Sequence, residues 1–241
     1  MKYLFFDTEM AVCHKFNCVI CEFGYVIVDE KFNVFSKDNI IINPSIPYRE
    51  WDKFAKQNIL TRKVSDYEKE ATFLMVYDDI VKLFKDVDIV FGHTLEGDAK
   101  AINDECIRYE LKAINYDFYD TNKMYNILFD SKNNESLESL LKIFDVSVEG
   151  ELHDAEADAF NTMLVLKAMV ERLQKPLKEI LETCESIKDR TENFVIKSRQ
   201  SKKKRREESN KKIMHVGESE SSSLGSRFAD LFAELEKELE D

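Results

Sequence analysis

Asp7 and Glu9 are separated by one residue after the apolar run Tyr3-Leu4-Phe5-Phe6. Side chains two apart in a strand project from the same face, so the two carboxylates would point together. Carboxylates crowded at the end of a buried strand repel unless a proton or cation intervenes, and a divalent metal ion is the usual remedy. Alone, an Asp-x-Glu is more often a pair of ordinary polar residues opening a loop. Asp98 closes the segment Phe91-Gly92-His93-Thr94-Leu95-Glu96-Gly97-Asp98 and begins a helix, where it either joins such a site or complements the helix dipole. The third group is Glu151-Leu152-His153-Asp154-Ala155-Glu156-Ala157-Asp158-Ala159. Positions five apart on one helix diverge by about 140°. His153 and Asp158 therefore converge only if His153 lies in the preceding loop and reaches back over the first turn; otherwise His153 is a surface histidine in an acidic helix start.

The surrounding pattern supplies elements to position these groups. Tyr3 to Phe6 is apolar on both faces, as in a strand buried mid-sheet. Val19 to Val28 and Phe32 to Ile42, joined by Asp29-Glu30-Lys31, complete an antiparallel meander. After Pro44 and Pro47 the pattern alternates: a helix through Phe73, Ile80 and Phe84, a strand from Val87 to Phe91, a helix through Ala99, Ile102 and Cys106, and a strand from Phe118 to Thr121. Further helices follow through Leu137 to Phe144, from near Asp154 through Leu173, and after Pro176. Ala155, Ala157 and Ala159 would let the helix carrying Asp158 pack closely on the sheet. Strands followed by alternating helices and strands argue for an α/β layer fold with a mixed sheet.

Together the three segments resemble the DEDD superfamily of exonucleases, His subtype (DEDDh). Phe6-Asp7-Thr8-Glu9 is similar to its first motif, Gly92-His93 through Asp98 to its second, and His153 through Asp158 to its third. The resemblance covers about residues 1 to 175. It implies a ribonuclease-H-like fold, here a mixed five-stranded sheet flanked by helices, with a C-terminal helical or flexible extension. Three positions depart from the family pattern: Thr94 and Gly97 stand where an asparagine and an aromatic residue are common, and Met10 follows Glu9 where a threonine is common.

The resemblance also implies a mechanism. Two Mg²⁺ ions about 3.5 to 4 Å apart, replaceable by Mn²⁺, would be held by Asp7, Glu9, Asp98 and Asp158, consistent with the preference of hard cations for oxygen. Asp7 would bridge the ions, Glu9 would support the more catalytic one, and His153 would be general base toward the attacking water. The substrate would be the 3′ end of single-stranded DNA or RNA, shortened 3′ to 5′ with release of nucleoside 5′-monophosphates. Thr8, Met10 and His93 are candidate substrate contacts, Met10 as a flexible apolar wedge against the terminal base.

The charge distribution bears on this reading. The net charge of −12 divides unevenly. Residues 1–185 carry 22 basic and 35 acidic groups, 186–215 carry 11 and 4, and 216–241 carry 2 and 8. An acidic body disfavours long phosphate contacts unless a local basic strip supplies them. The domain reading is accordingly an exonuclease domain over 1–185, a basic then Ser-rich flexible connector over 186–225, and an acidic amphipathic tail helix over 226–241. The connector is available to phosphate. Phe228, Leu231, Phe232 and Leu235 in the tail would face either the body or a protein partner's groove. Alternatives to the exonuclease are a hydrolase of short oligonucleotides and a nuclease-fold binding module acting through that tail.

Five cysteines at 13, 18, 21, 106 and 184 lack the density of a disulfide framework and are read as reduced thiols. Cys18 and Cys21, three apart in a strand, would face opposite ways, which argues against zinc. Tyr48 and Trp51 either line a substrate path or pack on helices. No apolar run approaches the roughly 20 residues of a membrane span, and Asp7 and Glu9 come too soon for a signal peptide, so no membrane contact and a cytoplasmic location are expected.

Overall fold

The computed structural model describes residues 1–14 and 17–193. A mixed six-stranded sheet runs in the order β3-β2-β1-β4-β5-β6. The strands are β1 (Lys2–His14), β2 (Asn17–Asp29), β3 (Val34–Ile41), β4 (Ile89–Gly92), β5 (Asp117–Asp120) and β6 (Asp189–Arg190). β1, β2 and β3 form the expected antiparallel meander, while β4 pairs parallel to β1, and β5 parallel to β4. Helices α1 (Val64–Tyr67), α2 (Phe73–Lys85), α3 (Glu96–Arg108), α4 (Thr121–Leu128), α5 (Leu137–Ile143), α6 (Ala155–Leu173) and α7 (Leu177–Thr183) complete the body.

Strand alternation decides which helices cover which face. Tyr3 and Phe5 of β1 join Val26, Phe91 and Tyr119 in a core with Leu140, Met163, Leu166 and Ile180, from α5, α6 and α7. Leu4 and Phe6 join Phe23, Val90 and Phe118 in a second core with Phe73, Ile80, Ala99 and Ile102, from α2 and α3. Two buried faces explain why Tyr3 to Phe6 is apolar without alternation.

The structure corrects three expectations. The sheet has a sixth strand, because β6 pairs antiparallel with β5 through Asp117↔Arg190 and Phe118↔Asp189. Thr191 fastens that edge: its Oγ1 accepts from the Tyr116 amide at 3.1 Å. Residues 186–193 therefore belong to the folded body, and the charge boundary at 185 is not a structural one. β1 does not stop after Phe6; β2 continues its ladder to His14 across irregularities at Glu9/Met10 and Met10/Val12, which hide the strand from a search for alternation. The cysteines are not all reduced: Cys13 and Cys18, opposite each other in the β1–β2 ladder with Cα atoms 4.0 Å apart, form a disulfide, whereas Cys21, Cys106 and Cys184 are free and buried. The connector from 194 onward and the tail helix with Phe228, Leu231, Phe232 and Leu235 lie outside the described residues. No helix among the described residues is long and apolar enough to cross a membrane.

Candidate active site

The site begins where β1 outruns its parallel neighbour. Pairing of β1 with β4 ends at Phe5↔Phe91, so Asp7 and Glu9 lie within β1 just past the end of that ladder. An open α/β sheet offers its ligand crevice there. Asp7 and Glu9 continue the alternation of Tyr3 and Phe5, the residues that face α6. Thr8 has the parity of Leu4 and Phe6, toward α3. Its hydroxyl donates to Asp98 Oδ1 at 2.6 Å and its amide donates to the same oxygen at 3.0 Å. Thr8, a candidate substrate contact, is buried and fixes Asp98 in the first turn of α3.

From the other face, α6 delivers Asp158. Asp154 caps α6, accepting from the amides of Glu156 and Ala157. His153 immediately precedes that cap with φ 67°, and its amide donates to Asp158 Oδ2 at 3.1 Å. The left-handed turn at His153 folds the chain back over the first turn of α6, the arrangement that the five-residue spacing requires. Ligand atoms of Glu9, His153 and Asp158 come within 4.8 Å of one another. Ala155 and Ala159 are fully buried, and the helix approaches β2 at Gly24 so closely that a Cβ there would lie 1.9 Å from the Ala155 carbonyl carbon. Only glycine admits the backbone of α6 at this distance, a requirement invisible in the motifs themselves.

The acids strain against one another. Burial, with Asp98, Glu9, Asp158 and Glu22 nearby, holds the Asp7 carboxyl well above its usual range. Burial, with Asp158, Glu22, Asp98 and Asp154 nearby, pushes Glu9 up to about 9. Burial also raises Asp98 to about 6, opposed by the two bonds from Thr8. Asp158 is raised by burial, opposed by the His153 amide. Among the described residues no lysine or arginine forms an ion pair with any of the four. Asp158 Oδ1 is buried without a hydrogen-bond partner. Uncompensated carboxylate oxygens, one of them orphaned, fit hard divalent cations.

Residues outside the three motifs support the acids. Glu22 is fully buried opposite Glu9 in the β1–β2 ladder; it accepts from the Tyr67 hydroxyl and, at 2.7 Å, from Asn39 Nδ2. Asn39 Nδ2 also donates to Asp154 Oδ2 at 3.2 Å, linking β3 to the cap beside His153. Asp120 accepts from the Thr94 and Leu95 amides, both at 3.1 Å, and caps α4, which moors the loop leading to Asp98. An aspartate directly before Thr121 signals the start of α4, whereas its hold on the Thr94 and Leu95 amides depends on the fold. His93, a candidate substrate contact, has both ring nitrogens engaged within the protein: Nδ1 meets Thr121 Oγ1 at 3.1 Å and Nε2 meets the Glu135 carbonyl at 3.0 Å. Met10 is half-buried and packs against the α2/α3 core. Trp51 is buried against Tyr67, whereas Tyr48 is exposed.

Comparison with known proteins agrees with the fold. The family model "DNA polymerase III subunit epsilon-like, C-terminal domain" (DEDDh) matches residues 53–169, a range containing Asp98, His153 and Asp158. No curated protein sequence matches the chain at a significant level. Among solved structures, the nuclease domain of 3'hExo, a DEDDh family member, bound to rAMP, is 15% identical with TM-score 0.62, covering 71% of this chain and 92% of that one. E. coli exonuclease I in complex with a dT13 oligonucleotide is 18% identical with TM-score 0.57, covering 71% and 42%. Cell-death related nuclease 4 (CRN-4) is 16% identical with TM-score 0.53, covering 71% and 64%. At these identities the likeness is one of fold, and the chain spans less than half of exonuclease I.

Proposed function

We propose that this chain, a DEDDh exonuclease in its motifs, family-model match and fold, is a divalent-metal-dependent 3′-to-5′ exonuclease acting on single-stranded nucleic acid. The observation that carries the reading is the convergence of Glu9, His153 and Asp158 within 4.8 Å, beside an Asp7 and an Asp98 whose carboxyls burial pushes up. Asp7, Glu9, Asp98 and Asp158 would hold two Mg²⁺ ions, with Mn²⁺ as a substitute. When bound, such ions lower the pKa of an attacking water and offset charge on the leaving oxygen.

The chain's own residues do the rest. Thr8 holds Asp98 at a fixed oxygen, and Asp154 fixes the start of α6 so that Asp158 stays opposite Glu9. His153 is exposed at the lip of the site, where a ring nitrogen can take the proton of the attacking water. Water adds to the terminal phosphorus, the bond from phosphorus to the O3′ of the penultimate nucleotide breaks, and that oxygen leaves as the new 3′-hydroxyl after protonation. The product is a nucleoside 5′-monophosphate. The structures of 3'hExo with rAMP and of exonuclease I with an oligonucleotide support a substrate and product of this class.

A digestion panel tests the proposal. Purified protein with Mg²⁺ is expected to shorten 5′-labelled single-stranded DNA or RNA, to act poorly on blunt duplex, and to lose activity in Asp7→Ala. Full activity in that variant would refute the site.

A further inference from the structure

The acidic body poses a problem for a polyanionic substrate, and the segment between β3 and α2 answers it. Residues 48–65 carry Arg49, Lys53, Lys56, Arg62 and Lys63 against Glu50 and Asp52, a positive balance within a body that is acidic overall. A π-helical turn, Ala55–Ile59, and helix α1 fold this segment around a cleft of about 640 Å³. Lys56, Arg62 and Lys63 line it together with Tyr48, and Glu68 is its one acidic lining residue. Among the described residues, neither Lys56 nor Lys63 forms an ion pair with a carboxylate. Lys56 Nζ instead stands 4.0 Å over the exposed Tyr48 ring and donates to the Tyr48 carbonyl at 3.3 Å.

The cleft is tied to the carboxylate site by two links. The Asp52 amide donates to the Ala11 carbonyl at 2.8 Å, two residues beyond Glu9 on β1. Arg62 Nε lies 3.8 Å from Oε1 of Glu22, the cross-strand partner of Glu9. A nucleic-acid strand whose 3′ end enters the site therefore has a cationic groove beside it, with an aromatic face for a base.

We propose that the Tyr48–Lys56–Arg62–Lys63 cleft binds the sugar-phosphate backbone of a single-stranded oligonucleotide upstream of its 3′-terminal nucleotide, giving the enzyme a preference for chains over dinucleotides. This rests on the exonuclease reading and deepens it. Lysines without ion pairs gain by releasing counterions from phosphate, and an exposed tyrosine stacks on any base, so the groove reads the backbone without sequence. The body's overall negative charge limits the grip, which suits a processing enzyme that must let go.

The test separates binding from hydrolysis. Anisotropy of a labelled single-stranded 12-mer, measured in chelator across salt concentrations, reads the cleft. Hydrolysis of the 12-mer and of a dinucleotide with Mg²⁺ reads the active site. In Lys56→Ala/Lys63→Ala, binding of the 12-mer is expected to weaken about tenfold and the slope of log K against log salt to flatten by about 1.4, for two lost contacts. KM for the 12-mer should rise by a similar factor with kcat and dinucleotide hydrolysis unchanged. A 12-mer bound equally by variant and wild type, or equal wild-type KM for both substrates, overturns the cleft and leaves the exonuclease standing. Salt-sensitive, lysine-dependent binding without any Mg²⁺-dependent hydrolysis overturns the exonuclease reading instead, and with it the preference assigned to the cleft.

Discussion

Glu9 offers a quantitative handle on the site, because its carboxyl is pushed from an ordinary 4.5 to about 9 by burial and by the neighbouring acids. In metal-free protein between those values the folded state keeps a proton that the unfolded chain has released. The stability that Glu9 contributes therefore falls as pH rises through this window and is gone above about 9, the sense set by proton linkage, and Asp7, raised likewise, acts in the same sense. One retained proton corresponds to about 1.4 kcal/mol per pH unit, so Glu9 alone removes about 2 kcal/mol between pH 7 and 8.5. That is a large share of the roughly 5–15 kcal/mol that holds a domain together. His93, whose pKa is lowered by burial, acts in the opposite sense, but only below its ordinary value of 6.5, so the chosen interval avoids it. Urea denaturation in chelator at pH 7, 7.75 and 8.5 measures the slope. Glu9→Gln cannot titrate and is expected to lose one proton's worth of it while gaining stability at pH 8.5. Mg²⁺ should stabilise the wild type more at pH 8.5 than at pH 7, since the cation replaces the proton. A stability that is flat or rising across the interval, or a Glu9→Gln slope equal to wild type, would refute the crowded-carboxylate argument.

Other perturbations probe how the acids are positioned. Gly24→Ala places a methyl into the backbone of Ala155 and Glu156; it is expected to cost about 3 kcal/mol in urea unfolding and to abolish turnover by displacing α6. Thr8→Val removes the 2.6 Å bond to Asp98, so unfolding free energy should drop by about 2 kcal/mol and Mg²⁺ affinity should fall, with Thr8→Ser restoring both. His153→Asn keeps a residue that tolerates φ 67°; its melting temperature should stay near wild type while kcat falls by a factor on the order of 10² to 10⁴.

Much of the site could be read from spacing. The two-residue interval of Asp7 and Glu9 implies a shared face, and the five-residue interval of His153 and Asp158 requires the loop that φ 67° at His153 supplies. What escaped was set by distant pairing. Gly24 matters because α6 crosses β2 there, and nothing local to Gly24 announces it. Asn39 bridges Glu22 and Asp154 only because the β2–β3 register sets it opposite Gly24. Thr8 and His93, candidate substrate contacts by resemblance, have partners that only the fold reveals: strand parity turns Thr8 to Asp98, and Thr121 of α4 and the Glu135 carbonyl engage His93. The length of β1 and the existence of β6 were hidden for a related reason: a bulged strand loses its alternation, and a two-residue edge strand never has one.

Product analysis tests the central claim most directly. With a single-stranded oligonucleotide of defined sequence and Mg²⁺, mass spectrometry over time is expected to show nucleoside 5′-monophosphates appearing in order from the 3′ end, with no release in chelator and release slowed by a factor on the order of 10² to 10⁴ in His153→Ala. Internal fragments, nucleotides released from the 5′ end, or release at the wild-type rate by His153→Ala would contradict the assignment of Asp7, Glu9, Asp98, Asp158 and His153 to one metal-dependent exonuclease site.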